Sequence, residues 1–194
     1  MSSQLEPLVP SPIVHFAIAA LPAIFAAPGS ALRGPRGLLA LGVASVLPDA
    51  DLLLVPILPG GILWHHGPTH SLLGAGALGA LAGWVGGLRG RALVAAGLVG
   101  ATHPPLDALV GEPGASSDYG VPFFWPLSSR RTISPWSLFI PFRIDEPGFL
   151  LNMVSPAALR SYFRETLVAA GALGAAGLVH RLRGAQPTST RPPM

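Results

Sequence analysis

Three short stretches of this chain gather imidazoles and carboxylates that could share a cation. Pro48-Asp49-Ala50-Asp51 carries two acids, His65-His66-Gly67-Pro68-Thr69-His70-Ser71 carries three imidazoles, and His103 stands four residues before Asp107. His15 lies alone upstream of them. Mixed imidazole and carboxylate donors suit zinc first, then manganese or iron. The candidate metal ligands are therefore His15, Asp49, Asp51, His65, His70, His103 and Asp107, with His66 beside them. One or two divalent ions could be held, most readily zinc, with manganese as the alternative. A pair of ions commonly serves phosphoester hydrolysis, because bound metal turns water into a nucleophile at neutral pH.

Each piece also has a plainer reading. Asp49 and Asp51 follow Pro48 and could simply close a helix. The histidine-rich stretch could be a turn in which Thr69 or Ser71 caps the next helix. His103 and Asp107 share a helical face at i, i+4. Pro104 and Pro105 interrupt that pattern, since the residue before proline disfavours the α conformation. Pro104 could instead open a new half-helix with His103 at its mouth. His180, among Arg181 and Arg183, reads as a surface residue.

The elements that must position these groups are set by composition. Half of the 194 residues are hydrophobic and 11% are charged, against about a quarter charged in soluble domains. That is too little charge for a water-facing surface, and lipid is the solvent that fits. A bilayer core asks for about 20 apolar residues per helix. The spacing predicts an all-α, polytopic membrane bundle of about four to five spans. The candidates are an uncharged stretch between Glu6 and Arg33 with a kink at Pro22, then Leu38 to Leu58, Ser71 to Leu88, Ala92 to Val110, and a short one from Thr166 to Val179 that could begin near Leu159. Glycines in the third candidate permit close helix approach. Residues 111–156 read as an interfacial loop rich in proline and aromatics, including Phe123, Phe124, Trp125, Trp136, Phe139 and Phe142. Residues 1–183 form one domain in this reading, and 184–194 a disordered tail. The start of the chain lacks a basic run, so the first apolar stretch reads as a retained span. There is no cysteine, hence no thiolate ligand, and no dense basic stripe of the kind nucleic acid would require.

Orientation and depth follow from arginine, which supplies all the basic residues. Arg33 and Arg36, Arg89 and Arg91, and Arg181 and Arg183 fall at one end of the expected bundle, which the positive-inside rule makes cytoplasmic. Counted from that end at 1.5 Å per residue, His15 lies about 27 Å away, Asp49 about 20 Å, His70 about 28 Å, His103 about 18 Å and Asp107 about 24 Å. Four separate helices thus bring histidine or aspartate into the same, outer half of the bilayer. Buried carboxylates there are costly unless paired or bound to a cation, and no arginine lies within these stretches to pair them.

At these residues the chain resembles the YdjM-like family of inner-membrane proteins, regarded as metal-dependent hydrolases. The family pattern is an early His, a Pro-Asp-x-Asp, a His-Arg-Gly-x-Thr-His-Ser and a His-x-x-x-Asp. Here these are His15, Pro48 to Asp51, His65 to Ser71, and His103 with Asp107, and Gly120 to Leu127 is similar to the segment that follows. The resemblance covers about Pro12 to Arg131. His66 stands where the family usually has arginine, and Pro104 and Pro105 depart from the pattern. The family is also distantly similar in ligand pattern to zinc-dependent phospholipase C, whose further ligands on a later helix have no counterpart here, since Glu165 and His180 are wrongly spaced.

The resemblance implies a metal-dependent hydrolase of the bacterial inner membrane. In that reading Asp51 is favoured as general base, and Arg130 and Arg131 contact an anionic group such as phosphate, if they are not headgroup anchors. A lipid or lipid-linked phosphoester suits a site near the outer interface. The alternatives are a non-catalytic metal-binding transporter or sensor, and a bundle whose polar residues only pair with one another.

Overall fold

The computed structural model describes residues 8–9, 11–54, 65–110, 120–136, 138–139, 142–143 and 154–184. Helix α1 spans Pro12–Phe25, with Ser11 as its N-cap, Pro12 at its first position and Pro22 inside it. Its last carbonyls are closed by Arg33, whose guanidinium donates to Ala23 and Ile24. Helix α2, Pro35–Val46, runs on as a 3-10 segment, Leu47–Leu54. A 3-10 turn at Pro68–His70 leads into α3, Leu72–Val85. Of the two expected caps it is Ser71 that acts, accepting from the Gly74 N–H at 2.9 Å.

The expected fourth helix is two. Helix α4, Gly90–Ala101, stops at Thr102, and α5, His103–Ala108, restarts at the prolines. A proline nitrogen needs no acceptor in a helix's first turn, so Pro104 and Pro105 begin a helix more easily than they continue one. Helix α6, Pro156–Gly184, takes the earlier of the two expected starts, three residues before Leu159, and runs five residues beyond Val179. Its charged ends shorten the apolar run without ending the helix. Strand pairing among the described residues is confined to the antiparallel pair Leu8–Val9 with Phe142–Arg143 and one antiparallel bridge, Val121 with Thr132.

One segment, Pro35–Leu54, is long and apolar enough to cross a membrane, while α1 and α3 are apolar but shorter. The expectation of four to five spans is thus met by length and composition in one helix among the described residues. Residues 111–119, 137, 140–141 and 144–153 of the expected interfacial loop, and residues 185–194 of the expected tail, lie outside the described residues. Gly184 itself ends α6. Within the loop, Phe124, Trp125 and Trp136 are exposed, as headgroup-level aromatics would be. Phe139 departs from that expectation: it is fully buried against Val14 and Val110.

The helices pack closely through small residues. A Cβ added at Gly79 of α3 would sit 2.9 Å from the Gly100 Cα of α4, and one added at Gly100 would sit 2.9 Å from the Gly79 Cα. Only bare backbone fits that crossing. Gly100→Val is therefore expected to push α3 from α4, lowering stability by about 1–3 kcal/mol through overpacking. Thermal unfolding in detergent micelles checks it, and an unchanged midpoint would contradict this crossing.

The connections order the bundle end to end. Phe25 at the end of α1 meets His180 of α6 edge-on at 6.1 Å. Arg36 at the start of α2 shares a groove of about 570 Å3 with Gly86 and Gly87 beyond α3. The arginine-bearing ends thus lie together, and above them is a core of Ala19, Ala23, Ala40, Leu41, Ala44 and Ala96. At the other end, Glu165 of α6 is fully buried and accepts from the Ser11 N–H at 2.8 Å and the Ser11 hydroxyl at 2.6 Å. A carboxylate at a helix N-terminus also complements its dipole. This anchors the first turn of α1, one turn before His15.

Candidate metal centre

His15 from α1, Asp49 and Asp51 from the 3-10 extension of α2, His70 from the turn before α3, and His103 and Asp107 from α5 all converge on the end of the bundle opposite Arg33, Arg36, Arg89, Arg181 and Arg183. His15, His70, His103 and Asp107 are buried, and the Asp49 side chain is 31% exposed. Asp49 thus gives the cluster an edge toward solvent.

Asp49 Oδ1 and Asp107 Oδ2 both approach the facing Nε2 atoms of His70 and His103. His70 Nε2 lies 3.3 Å from His103 Nε2, 3.3 Å from Asp49 Oδ1 and 3.6 Å from Asp107 Oδ2. His103 Nε2 lies 3.2 Å from both Asp49 Oδ1 and Asp107 Oδ2. Donors around one ion with metal–ligand bonds of about 2.0–2.1 Å stand about 3.3–3.4 Å apart, a spacing met by Asp49, His70 and His103 among themselves and by Asp107 Oδ2 toward His103. Asp107 Oδ2 is buried with no hydrogen-bond partner among the described residues, as expected of an oxygen reserved for a cation. The donor set therefore fits a divalent ion of the zinc or manganese class.

The other ring nitrogens explain how the imidazoles are aimed. His103 Nδ1 donates to the Ser45 carbonyl at 2.7 Å, leaving the Nε2 lone pair for the centre. His70 Nδ1 lies 3.2 Å from Asp51 Oδ2 and 3.1 Å from the Thr69 hydroxyl. Asp51 also holds His65 Nδ1 at 2.7 Å through Oδ1 and accepts from Thr69 at 2.7 Å through Oδ2. It stands behind His70, on the side away from Asp49. A carboxylate behind a ligating imidazole fixes the tautomer and ring orientation.

Of the seven expected ligands, Asp49, His70, His103 and Asp107 gather about the His70–His103 pair. His15 joins His103 and Asp107 in an overlapping buried group of three donors: its ring stacks on His103 at 4.2 Å and its Nε2 is 3.5 Å from Asp107 Oδ1. Asp51 and His65 lie behind. His66, not among the seven, is buried and packs on His65 at 4.5 Å and His70 at 4.9 Å. Its φ of 57° is left-handed, a conformation that no spacing rule gives for His66-Gly67. Arg130 is exposed, and Arg131 donates to the Gly120 carbonyl at 3.1 Å. Their loop is tied to the start of α3, where Phe123 accepts from the Leu72 N–H at 3.0 Å. His180 is exposed at the far end, as expected.

A family model described as YdjM inner membrane protein matches residues 11–186. No curated protein and no solved structure matches the chain.

Proposed function

The chain belongs to the YdjM inner membrane protein family, and from that membership and its four-donor centre we propose that it is a membrane-bound metal-dependent hydrolase acting on a phosphoester of a lipid or lipid-linked substrate. The observation that carries this reading is the spacing of Asp49 and Asp107 about the His70–His103 pair, with the four residues drawn from three separate elements. These four hold the ion, with zinc favoured. When bound, it supplies Lewis acidity and a nucleophile from water at neutral pH.

The chain's own groups do the rest. Ser45 and Asp51 aim the imidazoles, and Asp51 in this reading is a positioning residue in place of the expected general base, since its oxygens are engaged by His65, Thr69 and His70. The exposed edge of Asp49 marks where substrate approaches. Arg130 and Arg131, on the loop tied to α3, receive the anionic group, because a planar guanidinium matches phosphate. Helices α1, α2, α3, α4 with α5, and α6 cross the bilayer, with the arginine end cytoplasmic and the centre toward the outer face. The alanine- and leucine-lined core on the arginine side supports hydrolysis over transport, because an ion path would need polar groups continuing through it.

Purified protein in lipid nanodiscs, supplied with zinc or manganese, tests the reading. We expect metal-dependent release of phosphate or a phospho-headgroup, abolished by a chelator and restored by adding metal back. Silence across phosphoester, carboxylester and amide panels would remove it.

A further inference from the structure

Behind the four-donor centre lies a second histidine cluster that this function does not use. One ring nitrogen from each of His65, His66 and His70 lies within 4.8 Å of the others, and all three side chains are buried. We infer that His65 and His66 form a second cation site, adjoining the first through His70 and selective for zinc-class ions.

Three observations carry it. His65 Nδ1 sits 2.7 Å from Asp51 Oδ1, so its proton is held there and Nε2 presents a bare lone pair. His65 Nε2 is buried and has no hydrogen-bond partner among the described residues, although the residue is only 3% exposed. An imidazole aimed by a carboxylate through one nitrogen and open at the other is the arrangement found around metals. Finally, the His66 backbone is left-handed at φ 57°, which a branched-free glycine would occupy at no steric cost and an imidazole does not. The chain accepts that conformation and thereby brings the His66 ring against His65 and His70, at centroid distances of 4.5 and 4.9 Å.

The donor types predict the selectivity. The first centre mixes two imidazoles with two carboxylates and accepts manganese as well as zinc. The second offers imidazoles, which suit zinc, cobalt or copper better than manganese. The inference rests on the reading of the first centre. His70 gives its Nε2 to that centre and its Nδ1 to Asp51 and Thr69. His65 and His66 are therefore the second ion's own imidazole donors and His70 only packs beside them, and the test counts the two ions separately.

Full-length protein in detergent is stripped with a chelator, reloaded with zinc or with manganese, desalted and analysed for bound metal. Wild type is expected to hold two zinc ions but one manganese per chain. His66→Gly and His65→Gln are each expected to hold one of either. His66→Gly is also expected to melt no lower than wild type when both are metal-free, because glycine relieves the left-handed position. One zinc in wild type, or two retained in both variants, would overturn the second site while leaving the first intact. No metal in wild type would overturn both.

Discussion

His103→Ala is expected to empty the four-donor centre and to lower metal-dependent hydrolysis about a thousandfold or more. The variant removes one of the four donors and deletes the imidazole held by Ser45 at 2.7 Å. It also removes the nitrogen that lies 3.2 Å from both Asp49 and Asp107. Lewis-acid assistance is worth several kcal/mol, and each 1.36 kcal/mol is a tenfold change in rate, which gives the roughly thousandfold figure. Two readouts separate loss of metal from loss of fold. Metal analysis should show one ion fewer per chain than wild type. Zinc protection should shrink as well: an ion present at a hundred times its dissociation constant stabilises by about 2.7 kcal/mol, and the variant should lose that share from this centre while its helical content persists. Retention of wild-type metal content and wild-type protection would show that His103 does not hold an ion.

The second large effect concerns Asp51, and here the outcome divides two chemistries. If Asp51 aims His70 and His65, Asp51→Asn should weaken zinc binding by about 10–100-fold, the usual cost of losing an outer carboxylate. Activity should then recover as zinc is raised, with kcat close to wild type at saturation. A general base would behave in the opposite way, with metal occupancy unchanged and kcat depressed at every zinc concentration. The structure favours the first result, because Asp51 Oδ1 is engaged by His65 and Oδ2 by Thr69 and His70. A titration of zinc content and of rate on the same preparation, wild type beside variant, decides between them. A depressed kcat at full occupancy would return Asp51 to the reaction itself.

Much of the site was legible because a helix rises by a fixed amount per residue. Counting from the arginines put His15, Asp49, His70, His103 and Asp107 at one level, and they do meet at one end of the bundle. The glycines anticipated as contact points do bring helices together, as at Gly79. Helix α5 restarts at the prolines, the half-helix that Pro104 was expected to open, and His103 and Asp107 project to the same point, 3.2 Å apart.

Other features could not be read in advance. Asp49 and Asp51 look equivalent in the chain, but the segment that carries them is a 3-10 helix of about three residues per turn, so residues two apart face different sides. One acid therefore enters the centre and the other lies behind it. Phe139 resembles the loop's other aromatics, and only its packing on Val14 and Val110 removes it from the surface. The reach of α6 past Val179 was masked by its arginines, which dilute hydrophobicity without breaking a helix.

By itself, then, the sequence determined an apolar helical chain with acids and imidazoles gathered at the end away from Arg33, Arg36, Arg89, Arg91, Arg181 and Arg183. Composition selects the solvent, and helical rise converts spacing into depth without knowledge of any contact. What only the tertiary structure decided is which of those groups face one another and which stand behind to aim them. That depends on side-chain direction, set here by the Gly79–Gly100 crossing, the Ser71 cap and the left-handed turn at His66. Direction around a helix axis is fixed by packing between elements, and no count of residues along the chain contains it.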